Sequence, residues 1–192
     1  MATLVFATNN PNKIREIQAQ MGEQYDFRSL ADIGCFEEIP ETTPTLEGNA
    51  LQKARHVYDN YGMDCFSEDT GLEITVLDGA PGVITAHYAG PERDPIANMD
   101  KVLGELAGKS DRSARFRTVL CLIRDGVPTY FEGISEGRIA LDKSGAEGFG
   151  YDPIFIPEGE SRTFAEMGSA EKLGYSHRAR AMDKLIAYLQ KN

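Results

Sequence analysis

A short apolar run, Leu4-Val5-Phe6-Ala7, breaks off at Thr8-Asn9-Asn10-Pro11-Asn12, and Ile14, Ile17 and Met21 then return at helical spacing. A brief apolar run bounded by turn residues reads as a strand buried inside a sheet, and the three-to-four-residue recurrence reads as a helix with one buried stripe. A buried strand that feeds a helix through a polar turn restricts the chain to a layered α/β arrangement.

The remaining segments extend that alternation. Thr43-Pro44 predicts a helix start, a cap residue followed by a proline suited to the first helical position, and the stripe behind it is Leu46, Ala50, Ala54, Val57 and Tyr61. Cys65-Phe66 closes a short strand and Leu72 to Leu77 reads as another. Asn98 to Leu106 reads as a helix with Met99, Val102, Leu103 and Leu106 on one face. Phe116 to Ile123 and Thr129 to Leu141 read as antiparallel strands turning near Asp125-Gly126-Val127-Pro128. The last helix carries Met182, Leu185, Ile186 and Leu189 behind a Ser176 N-cap. The expectation is an α/β protein around a mixed β-sheet, a single domain over residues 1–192 with two lobes.

Charge narrows the function classes. Thirty Asp and Glu against twenty Lys and Arg give a formal net charge of −10. Such a chain repels a polyphosphate backbone at long range, so neither a nucleic acid polymer nor a membrane surface is expected as a partner. An anionic ligand must be met by a local basic cluster or a metal ion. The three cysteines, Cys35, Cys65 and Cys121, form no CxxC pair, which suits a reducing, cytoplasmic setting. Met1 to Phe6 runs into the first strand without a basic flank, so no signal peptide is expected.

Common cofactor signatures fail on spacing. Gly108-Lys109-Ser110 lacks the earlier glycine of a P-loop, because that position is Leu103. Gly148-Phe149-Gly150 starts like a dinucleotide loop, but Pro153 stands at the third glycine position.

Four polar segments exceed what packing needs. Thr8 to Lys13, between strand and helix, can cradle phosphate with backbone N–H groups, Thr and Asn side chains and the Lys13 ammonium. Glu68-Asp69-Thr70-Gly71 places adjacent carboxylates at an expected strand end, where they can bind Mg²⁺ or activate water; Glu41 is a further possible ligand, with Glu37 and Glu38 as competitors. Lys53 falls about 20° from Leu46 and about 40° from Val57 on a wheel of 100° per residue, at the margin of the buried stripe, where an ammonium can snorkel or reach an enclosed anion. Finally, Gly148 to Pro153 combines glycines, two aromatics and an acid, suited to stacking on a ring, while Lys172 to Arg178 puts Ser176, His177 and Arg178 at a helix start. An arginine there opposes the helix dipole and calls for an anion or acceptor nearby.

Taken in order, these segments resemble the ITPase-like family of nucleoside-triphosphate pyrophosphatases. The resemblance runs through Phe6 to Asn10 with Lys13, Asn49-Ala50 with Lys53, Glu68 to Leu72, Gly79 to Gly82, Tyr88-Ala89-Gly90, Gly148 to Phe155, Thr163 to Met167, Lys172, and Ser176 to Ala179. Glu68-Asp69-Thr70 stands where Asp-Asp-Ser is frequent, Asn9 where Gly is frequent, and His87 where bacterial members often carry Arg. The resemblance implies an elongated fold with a long central mixed sheet, a cleft between two lobes and a homodimer. It implies Mg²⁺-dependent cleavage of ITP, dITP and XTP between the α- and β-phosphates, yielding the nucleoside monophosphate and pyrophosphate. Asp69 then corresponds to the catalytic proton acceptor and a metal ligand, with Glu41 the second acidic ligand. Thr8, Asn9, Asn10, Pro11, Asn12, Lys13, Lys53 and Thr70 would surround the triphosphate. Phe149, Gly150, Tyr151, Asp152, Lys172, His177 and Arg178 would hold the base and its sugar end. Maf-like pyrophosphatases and a non-catalytic nucleotide sensor are the rival readings; Ser176-His177-Arg178 argues against the first and the retained Asp69, Lys13 and Lys53 against the second.

Overall fold

A computed structural model describes residues 3–21 and 25–191; Met1 and Ala2 of the opening segment lie outside them. One six-stranded sheet has the order β2-β1-β3-β4-β5-β6. Strand β1 (Thr3–Phe6) leads through the Thr8–Asn10 turn into α1 (Pro11–Met21), and the chain returns as β2 (Asp26–Ser29). Both β2 and β3 (Cys65–Ile74) pair parallel to β1, the latter with Phe6 opposite Phe66. Those two rings stack with centroids 4.6 Å apart. Strands β4 (Ser113–Arg124) and β5 (Val127–Ile139) are joined by Asp125-Gly126, with φ of 51° and 77°, and β5 pairs antiparallel with β6 (Phe155–Pro157). Two successive positive φ values in a two-residue connection give the primed turn that matches strand twist. The sheet is mixed, as expected.

The chain falls into two compact units. The first contains the residues up to Asp69, Thr118–Gly133 and those from Arg178 on. One cluster of buried side chains packs Leu4, Phe6 and Phe66 with Leu120 and Leu122 against Ile17 and Met21 of α1 and Met182 and Leu185 of α5 (His177–Leu189), the helix after the short α4 (Ser169–Leu173). The second contains Thr70–Arg117 and Ile134–His177. Its core is built from Leu72, Ile74, Phe116, Phe155 and Phe164 with Met99, Val102 and Leu106 on and just beyond α3 (Pro95–Glu105).

Two local expectations are corrected. The helix α2 (Leu46–Tyr61) is capped by Thr45, whose hydroxyl accepts from Gly48 N, so Pro44 lies before the cap rather than in the first turn. Thr43 is engaged elsewhere, its N–H and hydroxyl each 2.9 Å from Asn49 Oδ1. Secondly, Cys65-Phe66 and Leu72 belong to one continuous ten-residue strand, followed at Thr75–Leu77 by a 3₁₀ turn. Gly71 signals close backbone approach instead of a turn: a Cβ there would stand 2.8 Å from the Gly82 carbonyl oxygen.

Candidate active site

Because β3 continues through Glu68-Asp69, the two carboxylates point to opposite faces of the sheet. Their neighbours follow the same alternation. Phe66 stacks in the core with α1 and α5, whereas Cys65 Sγ and Ser67 Oγ donate to Ala54 O and Ala50 O of α2, at 3.2 and 2.5 Å. Glu68 therefore meets α1 and α5, and Asp69 meets α2. The pair cannot share one ion as the sequence suggested.

Glu68 is 2% exposed. Arg178 Nε and Nη2 donate to its two carboxylate oxygens at 2.6 and 2.7 Å, and Lys13 Nζ lies 2.9 Å from Oε1. Arg178 also donates through Nη1 to Glu16. Burial by itself would raise the Glu68 carboxyl, but Arg178 and then Lys13 hold it well below the usual carboxylate range. Glu68 is thereby a fixed anion that positions Lys13 and Arg178.

Asp69 is 7% exposed and sits differently. Asn49 Nδ2 donates to its Oδ2 at 3.1 Å, and Lys53 Nζ stands 3.5 Å from Oδ1. The Asn49 amide is oriented by Thr43, which occupies its oxygen and leaves the NH₂ for Asp69. Lys53 also pairs with Glu41. Burial pushes the Asp69 carboxyl above its ordinary value, against the pull of Lys53 and with a further push from Glu41. A buried carboxylate with a raised pKa is a stronger base than a free one.

The loop that supplies Glu41 is laid along α2 by successive pairs. Glu37 meets His56 at 2.9 Å, Glu41 meets Lys53, Thr42 N donates to Gln52 Oε1 at 2.9 Å, and Thr43 meets Asn49. Among Glu37, Glu38 and Glu41, it is Glu41 whose carboxylate converges with Asp69 on one ammonium.

The turn after β1 is an Asx cap. Asn10 Oδ1 accepts from Asn12 N at 2.9 Å and Lys13 N at 3.3 Å, and Thr8 Oγ1 accepts from Asn10 N at 3.2 Å. Two of the backbone donors that the sequence reading offered to phosphate are thus occupied by the cap itself. Asn9 and Pro11 are exposed at the tip, and the Arg15 guanidinium donates to Asn12 Oδ1 at 2.5 Å.

In the second unit, Asp152 is 3% exposed and accepts from Lys172 Nζ at 2.7 Å and from Phe149 N at 3.0 Å. Lys172 Nζ lies 5.3 Å from the Phe149 ring centroid and 5.4 Å from that of Phe164. Gly148 has φ +75°, and a Cβ there would collide with the Asp152 carboxylate. Gly150, at φ +62°, supplies a second left-handed turn. Tyr151 is buried with its hydroxyl on Thr85 O at 2.7 Å, and burial raises that hydroxyl above its ordinary range. His177 stacks on Phe116 with centroids 4.6 Å apart. Thr70 is half-buried at the point where β3 enters this unit.

The Ham1 family model matches residues 4–188. The chain belongs to the Ham1 family. It is 52% identical over 187 residues to a protein of Flavobacterium psychrophilum named dITP/XTP pyrophosphatase, covering 97% of this chain and 98% of that one. It is 45% identical over 194 residues to a Bacillus subtilis protein of the same name, covering 99% and 98%. Among solved structures, a HAM1 protein from Coxiella burnetii superposes with a TM-score of 0.92 at 36% identity over 100% of both chains. The Ham1 protein of Staphylococcus aureus gives 0.90 at 33% identity over 98% of each.

For a Ham1 chain, three residues around the clusters escaped the sequence reading. Asn49 carries no assigned role in the resemblance, yet it orients Asp69; its signal is a polar side chain one turn from Lys53 on the buried stripe. Glu16, which completes the Arg178 pairing, sits three residues after Lys13 and left no separate signal. Phe116, the platform under His177, read only as a core strand residue.

Proposed function

We propose that this protein hydrolyses deaminated purine nucleoside triphosphates, ITP, dITP and XTP, at the α–β phosphoric anhydride, giving the monophosphate and pyrophosphate. The observation that carries this reading is Asp69, a buried carboxylate with a raised pKa, flanked by the Lys53 ammonium and the Glu41 carboxylate. The names of the Flavobacterium and Bacillus relatives support the substrate class.

Asp69 accepts the proton of the attacking water, with Asn49 and Lys53 holding its carboxylate in place. Cys65 offers no covalent route, because its thiol is buried, engaged by Ala54 O and pushed up to about 12 by burial. Lys13 and Lys53, with the Thr8–Asn12 turn and Thr70, meet the triphosphate charge. A divalent ion fits beside them: Glu41 and Asp69 are hard oxygen donors that already converge on one cation, Lys53. Mg²⁺ bound by these two carboxylates would supply Lewis-acid polarisation of a phosphoryl oxygen. The family resemblance supports Mg²⁺ as the ion and a homodimer as the working state, and the three free thiols suit a cytoplasmic setting.

In the second unit, Phe149, with Gly150 and Tyr151 shaping its turn, offers a ring to stack on a purine. Lys172, fixed by Asp152, supplies with His177 the donors for a carbonyl-bearing base edge. Separation of the products from ITP is the test: IMP and pyrophosphate are expected, and IDP with orthophosphate would overturn the assigned bond.

A further inference from the structure

Away from Asp69, the first unit holds a group of donors of a different chemical kind. Gly34, at φ 75°, turns the chain after the short 3₁₀ segment Ala31–Ile33, and Cys35 N donates to Leu30 O at 2.9 Å. This brings Cys35 in as a fully buried side chain at the foot of the loop that later carries Glu41. Two residues on, Glu37 reaches α2, where His56 Nε2 lies 2.9 Å from its Oε1 and the Tyr61 hydroxyl donates to the same oxygen at 3.1 Å. One ligand atom each from Cys35, Glu37 and His56 lies within 4.8 Å of the other two.

We propose that Cys35, Glu37 and His56 form a second metal site, selective for a Zn²⁺-class ion, that staples the Glu41-bearing loop to α2. The proposal does not rest on the pyrophosphatase reading. Zinc bonds of about 2.0–2.3 Å in tetrahedral geometry put donors roughly 3.3–3.8 Å apart, so the side chains need only small shifts to enclose an ion. Glu37 is exposed and His56 half-buried, which gives the ion a path inward and leaves a fourth position for water. One thiolate, one imidazole and one carboxylate make a borderline-soft set that prefers Zn²⁺ to Mg²⁺, unlike the all-carboxylate pair of Glu41 and Asp69. The Tyr61 hydroxyl is a ready outer partner that would orient the Glu37 carboxylate. On binding, the Cys35 S–H bond is replaced by a sulfur–metal bond and the proton leaves to solvent; nothing is oxidised or reduced. The other two thiols, Cys65 and Cys121, lie on strands β3 and β4, and Cys65 Sγ donates to Ala54 O.

The site is tested by adding Co²⁺ as a spectroscopic substitute to full-length protein that has been stripped with a chelator, kept reduced, and supplied with excess Mg²⁺ to fill hard-oxygen sites. The expected result is a thiolate-to-cobalt charge-transfer band that saturates at one equivalent and is bleached by Zn²⁺. Cys35→Ser should abolish the band, and His56→Gln should weaken the apparent affinity by at least about 10-fold, on the scale seen when even outer partners of a metal are lost. Zn²⁺ should also raise the melting temperature of the wild type but not of Cys35→Ser. Should the serine variant not fold, His56→Gln, at a half-buried position, decides alone. Absence of the band in folded wild type, or its persistence at full strength in the folded variants, would overturn the proposal.

Discussion

Glu68 and Asp69 are consecutive residues of one strand, yet their carboxyls are driven in opposite directions. Glu68 faces Arg178 and Lys13 and is held well below the carboxylate range, while Asp69 faces α2 and is raised by burial. The period of two along a strand accounts for the split. One acid becomes a permanent anion that fixes two cations, and the other is left able to take a proton.

Asp69→Asn should lower turnover about a hundredfold or more, the usual scale for loss of a general base, without lowering the melting temperature at neutral pH. The folded-state pKa of Asp69 lies above its ordinary value. Stability linked to this group is therefore present below the unfolded pKa and lost as pH rises through the raised one, so the ionised side chain is a cost at pH 7. Kinetics and thermal melts of the variant check both halves; near-normal turnover would remove Asp69 from the chemistry.

In the metal-free protein the Asp69 carboxyl should titrate above the ordinary aspartate value. Lys53 is the largest influence holding it down, so Lys53→Ala should move that titration to higher pH. Carboxyl NMR titration of both chelator-treated proteins measures the shift, and coincident curves would show that Lys53 does not act on Asp69.

Arg178→Ala should destabilise the fold by about 3–5 kcal/mol, because it leaves the buried Glu68 without its main counter-charge. The sign on the Glu68 side is the reverse of that for Asp69: its lowered pKa contributes stability above the ordinary glutamate value, lost as pH falls through the folded one. Denaturant unfolding at neutral pH and at pH 4 reads this, with the wild type losing stability toward acid.

Lys13→Ala should weaken use of ITP more than binding of IMP, since Lys13 is assigned to phosphate beyond the monophosphate. A charge-assisted contact is worth about 1.5–3 kcal/mol. Inhibition by IMP and kcat/KM for ITP, measured side by side, decide it, and equal losses in both would place Lys13 elsewhere.

The sequence made the alternation of strands and helices legible because Leu4–Ala7, the α1 stripe and the α5 stripe each keep one clear period. It also pointed to Lys53, whose wheel position at the core margin matches its burial. It misread β3, since Glu68-Asp69-Thr70-Gly71 has the composition of a turn, and only tertiary partners on α1, α2 and α5 let such residues stay in a strand. The Thr43 cap failed for a similar reason: three nearby threonines can cap locally, and the choice of Thr45 is set by Asn49 recruiting Thr43. Nor could local pattern reveal that Asn10 would occupy the backbone N–H groups of Asn12 and Lys13.

The ratio of kcat/KM for ITP to that for ATP measures base recognition at its most demanding point. Inosine has a carbonyl at C6 where adenine has an amine, so donors such as Lys172 and His177 pair with the first and oppose the second. Leaving buried polar groups unpaired can cost a factor of about 10⁴ in specificity. Pyrophosphate release from matched ITP, XTP, GTP and ATP at saturating Mg²⁺ should give far larger kcat/KM for ITP and XTP than for ATP, with GTP also disfavoured, whereas comparable kcat/KM for ATP and ITP would contradict the account.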